Sequence, residues 1–183
     1  MNHEPTGTVA IVYESMFGST RRIGEAIAEG LGAGQQVTLI PVRDAHSLPD
    51  DLSVLIVGAP THAHGLSRPE SRVDAVKWAA NEQMDLELEP EFDAPGIREW
   101  LKQYEPQVAR HVAFDTRVDM PRIFTGSAAA AIDRRMSKLG SRRLAEPMSF
   151  LVDRNSHLEA GEIDRAKRWG AELAAALAPT AAH

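Results

Sequence analysis

Three short stretches hold the residue types that chemistry would use. The first, Ser15-Met16-Phe17-Gly18-Ser19-Thr20, places three hydroxyls and a glycine between an apolar run ending at Tyr13 and a helical pattern. Hydroxyl donors beside the unpaired N–H groups of a helix start suit a phosphate, and glycine lets the backbone approach the anion. The loop has no Lys or Arg; Arg21 and Arg22 follow it. A triphosphate loop GxxxxGK[ST] is excluded by the missing lysine, and the dinucleotide fingerprint GxGxxG is absent. A plain turn with Ser19 as cap is the alternative. The second stretch, Gly58 to Gly65, carries Pro60, Thr61, His62, Ala63 and His64. An imidazole there either stacks on or hydrogen-bonds a ligand, or is a solvated loop histidine. No further ligands cluster with the HxH pair, so no metal is expected. The third stretch, Phe114 to Ser127, holds Asp115, Thr116 and Arg117. Arg117 either offers its charge to a bound group or pairs at the surface with Asp115 and Asp119.

The elements that must position these stretches alternate. Val9–Tyr13 is a β-branched run suited to a strand buried on both faces. Ile23, Ala26, Ile27 and Leu31 recur at helical spacing before Gly32 and Gly34. Val37–Val42 and Leu52–Val57 read as the second and third strands. Ser67 to Glu70 has capping-box form, and Val73, Val76 and Ala80 continue that helix on one face. Asn81–Pro106 holds six acidic residues between Glu82 and Asp93, then a helix predicted over Pro95–Tyr104. Val108–Phe114 is the predicted fourth strand; Ile132, Met136 and Leu139 mark a helix ended by Gly140. A fifth strand is expected within Met148–Val152, then a helix with Ile163, Ala166, Gly170, Leu173, Ala174 and Leu177 on one face. Trp78, Trp100 and Trp169 all fall in predicted helices and read as packing residues. This alternation implies an α/β fold: a three-layer, doubly wound sandwich on a parallel sheet.

The expectation is one domain, with a core over about residues 8–177, an acidic insertion at 81–106 and short flexible termini. A charge of −6 opposes nonspecific nucleic-acid binding. Without cysteine there is no disulfide, thiolate metal site or cysteine nucleophile. No apolar run is long enough to span a bilayer, and the first residues lack a signal-peptide pattern, so a cytoplasmic location is expected. The acidic run is either a solvated face or a dock for a basic partner.

Ile11-Val12-Tyr13-Glu14-Ser15-Met16-Phe17-Gly18-Ser19-Thr20, running on to Ile27, resembles the flavodoxin signature; Gly24 stands where that family usually has alanine. Gly58–Gly65 is similar to the family's second flavin loop, and Phe114–Ser127 lies where its third is placed. The resemblance covers roughly Thr8 to Leu177. It implies a five-stranded parallel sheet of order 2-1-3-4-5. It also implies that flavin mononucleotide (FMN) is the cofactor, its phosphate held by residues 15–20. Pro60, Thr61, His62, Ala63, His64 and Gly65 would then lie along the ring with Asp115, Thr116 and Arg117. The family usually flanks the ring with Trp or Tyr; here His62 or His64 substitutes. Arg117 near the pyrimidine edge would favour two-electron reduction.

Two functions follow from the resemblance: an electron carrier between a reductase and an acceptor, or an FMN-dependent NAD(P)H:quinone-type oxidoreductase. The same fold serves both. A third is a signalling or interaction domain on this fold. A receiver domain would want clustered acids near the first strand, where Glu14 stands alone, and a phosphatase of similar topology would need cysteine. A flavodoxin fold that no longer binds flavin completes the set.

Overall fold

Residues 7–62, 64–90, 92–105 and 108–178 are described in a computed structural model. The expected flexible termini lie largely outside the described residues. The first strand, β1 (Thr8–Tyr13), shows how the layers arise. Side chains alternate across a strand. Val9 and Ile11 therefore enter one apolar cluster, with Ile23, Ile27, Leu173 and Trp169, while Ala10 and Val12 enter another, with Ile97, Ile132 and Met136. The first cluster underlies α1 (Ser19–Leu31) and α6 (Glu162–Leu177); the second underlies α3 (Ile97–Gln103) and α5 (Ala128–Lys138). A sheet covered on both faces is the result.

The sheet is completed by β2 (Gln36–Pro41), β3 (Leu52–His62), β5 (Arg110–Val118) and β7 (Met148–Val152). All four junctions are parallel, in the order β2-β1-β3-β5-β7, which is the predicted doubly wound order. Two short strands are additional. β4 (Gly65–Leu66) forms an antiparallel hairpin with the end of β3, and β6 (Arg142–Arg143) pairs with the start of β5. The border position beside β5 is thus shared by two pieces, separated by Leu144–Pro147.

Several expected boundaries move. The third strand runs five residues beyond Val57, because Gly58 still pairs with β1, Pro60 with β5, and Thr61 and His62 with β4. The fourth strand begins at Arg110 and continues through Asp115, Thr116 and Arg117, each paired with β7. These are strand residues and not loop residues.

The helix α2 (Pro69–Ala79) departs most from expectation. Ser67 does not cap it; Arg68 precedes the first turn, and Ser71 Oγ accepts the Arg68 N–H at 3.4 Å. Its inward side carries Arg72 and Ala75, while Val73 and Val76 are 60% and 46% exposed. The pattern Val73-Val76-Ala80 is therefore not a core stripe. A four-residue helix, α4 (Arg122–Thr125), was not anticipated. No helix among the described residues is long and apolar enough to cross a membrane.

Candidate functional site

The carboxyl ends of β1, β3, β5 and β7 meet at one rim, where doubly wound sheets bind ligands. A cavity of about 220 Å³ opens there. Its walls come from Ser15, Met16, Phe17, Ser19 and Thr20 on one side and from Pro60, Thr61, His62 and Trp78 on another. Thr116, Arg117, Val118, Val152, Arg154 and Ser156 complete them.

The first wall is built around a tight turn. Gly18 adopts φ 87°, a left-handed conformation that favours glycine, and its N–H donates to Ser15 Oγ at 3.0 Å. Gly18, not Ser19, is the residue preceding the first helical turn. The Ser19 hydroxyl donates to the Ser156 carbonyl at 2.7 Å, and the Thr20 and Thr116 hydroxyls are hydrogen-bonded to each other at 2.8 Å. An uncharged cradle of hydroxyls and helix-start amides is suited to an oxyanion.

Glu14, immediately before this loop, is buried. Its carboxyl accepts from Ser67 Oγ and from the Ile97 N–H (2.9 Å). Arg72 donates to Ser67 Oγ at 3.1 Å and to Glu99 at 3.3 Å. Burial raises the Glu14 pKa, opposed by those donors and by Arg72. This network ties the end of β1 to the starts of α2 and α3.

Part of the lining is aromatic. His62 stacks on Trp78 with centroids 6.0 Å apart and planes at 27°, and Phe17 lies 6.3 Å from the indole. Burial lowers the His62 pKa, favouring the neutral ring. Trp78 is 37% exposed, so it is a cavity wall rather than the packing residue expected. Trp169 does pack in the core, against Phe150, and Trp100 donates its indole N–H to the Ala45 carbonyl.

Among the expected site residues, Ser15, Met16, Phe17, Ser19, Thr20, Pro60, Thr61, His62, Thr116 and Arg117 line the cavity together. Gly18 shapes the turn beneath them. His64 is exposed with φ 75° and bridges to Gly126, while Gly65 closes the β3–β4 hairpin; neither lines the cavity. Ala63 lies outside the described residues. Asp115 is fully buried behind the cavity wall. One of its oxygens, Oδ2, accepts from Thr61 Oγ1 (3.0 Å), Ser127 Oγ (2.7 Å) and the Ala129 N–H (2.9 Å) at the start of α5. Thr61 Oγ1 accepts in turn from the Ala128 N–H at 2.9 Å, so its hydroxyl is engaged within the protein. Arg117 pairs with neither Asp115 nor Asp119. Its Nη1 donates to the carbonyls of Val118 (3.3 Å) and Met120 (2.6 Å), and its buried Nε has no protein partner among the described residues.

Solved structures similar to this chain share one architecture. An archaeal flavodoxin matches with 18% identity over 93% of this chain and 98% of its own, at a TM-score of 0.59. Flavodoxin 1 from Bacillus cereus matches with 16% identity over 91% of this chain and 96% of its own, TM-score 0.58. The rubredoxin oxygen:oxidoreductase of Desulfovibrio gigas matches with 20% identity over 96% of this chain but 37% of its own, TM-score 0.60. This is the flavodoxin fold. No family model and no curated protein matches the sequence.

Within that flavodoxin fold, sequence reasoning missed Trp78, Val118, Val152, Arg154 and Ser156. Trp78 carried a signal: it sits roughly 200° around the helix from Val76, off the apolar stripe. Arg154 and Ser156 belong to a turn after β7 organised by Asp153, whose Oδ1 accepts the N–H groups of Asn155 (2.8 Å) and His157 (2.9 Å). An Asp followed by Asn and Ser reads as a turn, but nothing in its letters points it at the first loop.

The acidic segment packs outside that first loop. The Glu89 N–H donates to the Met16 carbonyl at 2.8 Å, and its carboxylate takes Arg21 Nε at 3.0 Å. Arg43 donates to the Pro90 carbonyl, and His157 Nε2 lies 3.0 Å from the Asp85 carbonyl. Glu82, Asp85, Glu87 and Asp93 stay exposed. No group of three or more His, Asp or Glu suited to a metal occurs among the described residues.

Proposed function

We propose that this chain binds FMN in the rim cavity and transfers electrons between a redox protein that reduces it and an acceptor. The observation that carries this is one cavity lined both by an oxyanion cradle of uncharged donors and by the Phe17–Trp78–His62 cluster. The residues fit the group. The N–H groups at the start of α1, with the Ser15 and Thr20 hydroxyls, would take the phosphate while the Ser19 hydroxyl holds the neighbouring turn, and the aromatic cluster would take a flat ring. FMN, when bound, supplies the reversible uptake of one or two electrons.

The chain's own residues then bind, orient and tune. Asp115 locks Thr61 and the start of α5, holding the end of β3 against the cavity. His62, kept neutral by burial, adds no charge to that wall. The exposed acids beside the first loop would steer a basic partner to the rim.

Arg117 favours a second reading, an NAD(P)H:quinone-type oxidoreductase. Its guanidinium lines the cavity without an acidic partner among the described residues and would stabilise negative charge on a reduced ring. Stopped-flow mixing of the FMN-loaded protein with NADH or NADPH separates the two. Reduction only after a separate reductase is added supports the carrier; rapid reduction by the nicotinamide alone, with quinone turnover, supports the enzyme. A purified protein that stays colourless and takes up no added FMN refutes both.

A further inference from the structure

Resting on the flavin reading, we infer that Arg154 is the cationic partner of the ligand's phosphate and makes the cavity select a phosphorylated flavin over an unphosphorylated one. The first loop offers no charge of its own; Arg22 does not line the cavity, and Arg21 and Arg117 are otherwise engaged. Arg21 is turned to Glu25 (2.6 Å) and Glu89 (3.0 Å), and Arg117 donates to two backbone carbonyls, one at the end of β5 and one just past it. Arg154 lines the same cavity and has no hydrogen bond or ion pair among the described residues.

Its location is braced from both sides. The Ser19 hydroxyl, at the first position of α1, donates to the Ser156 carbonyl, so the turn carrying Arg154 is joined to the oxyanion cradle. Asp153 holds that turn from within, through the N–H groups of Asn155 and His157 and through its own N–H to the His157 carbonyl (2.8 Å). Ser156 sits at φ 64°, an uncommon conformation for a residue with a side chain, fixed by these bonds. A guanidinium on a braced turn can donate two parallel hydrogen bonds to a phosphate monoester, supplying charge that the cradle lacks.

The test titrates flavin fluorescence with FMN and with riboflavin, for the wild type and Arg154→Gln, at low and high salt, with urea midpoints to establish that both fold. Roughly tenfold weaker FMN binding in the variant, unchanged riboflavin binding and a flatter salt dependence are expected for a charged contact at an exposed site. FMN affinity equal to the wild type's overturns the assignment, as does an equal loss for both flavins. A wild type that binds neither flavin overturns the flavin reading and this inference with it. A wild type that binds both equally leaves flavin binding intact and removes Arg154 alone.

Discussion

The Asp115 carboxyl gives the sharpest quantitative prediction, because its two oxygens are treated so differently. Oδ2 takes three donors, while Oδ1 has no protein partner among the described residues. Across the β5–β7 ladder stands Ser149, whose hydroxyl is likewise unpartnered. In Asp115→Ala the Thr61 and Ser127 hydroxyls can rotate, but the Ala129 N–H is fixed by the helix and stays buried without an acceptor. One stranded amide plus lost bonds to a carboxyl oxygen amounts to about 3 kcal/mol. In Asp115→Asn the amide oxygen can replace Oδ2 and the NH2 can occupy the Oδ1 position. That variant is expected to lose about 1 kcal/mol. Urea unfolding of the flavin-free protein measures both as midpoint shifts at constant slope. Equal losses for Asn and Ala, or an Ala loss below about 1 kcal/mol, would refute this account of the carboxyl.

Three further outcomes are expected. Trp78→Ala should weaken FMN binding roughly tenfold through the lost ring wall, read by fluorescence titration, with little change in the urea midpoint because the indole is partly exposed. Gly58→Ala should destabilise by about 1–3 kcal/mol, since the new methyl would run into the buried Phe114 ring; unchanged thermal unfolding would mean that the ring moves aside at little cost. The partly buried His62 binds its proton less readily when folded, so its contribution to stability is full above the unfolded value of 6.5 and is lost as pH falls below it towards the lowered folded value. His62→Gln should therefore flatten the urea midpoint between pH 7 and 5, and an unchanged slope would assign the acid sensitivity elsewhere.

Much of the framework was legible because burial on both faces leaves an unmistakable mark. Val9–Val12 could be read directly, the border strand Met148–Val152 was legible from its apolar residues although it is only partly buried, and Ile23, Ala26, Ile27 and Leu31 point to one side of α1 as their spacing required. The ends of β3 and β5 were hidden for a physical reason. Gly58, Pro60 and Asp115 have low strand propensity, yet ladder hydrogen bonds and packing hold them extended. Arg72 is the opposite case, a charged residue drawn inward by Ser67 and Glu99 while Val73 and Val76 face out. For the site, the hydroxyl loop and His62 were readable from residue type. Trp78 and Arg154 reach it through tertiary structure, from 16 and 92 positions after His62 in the chain.

The divided border strand bears on how the molecule stays apart from its own copies. An open sheet ends in unpaired N–H and C=O groups that invite lateral addition of another chain. Here that margin is broken into two residues and five, carries Arg142 and Arg143 on the shorter piece, and has Pro147, which lacks an N–H, just before the longer. The far margin, β2, finishes on Pro41. Neither boundary offers a long run of free donors, so fibre-like growth by strand addition is discouraged at both.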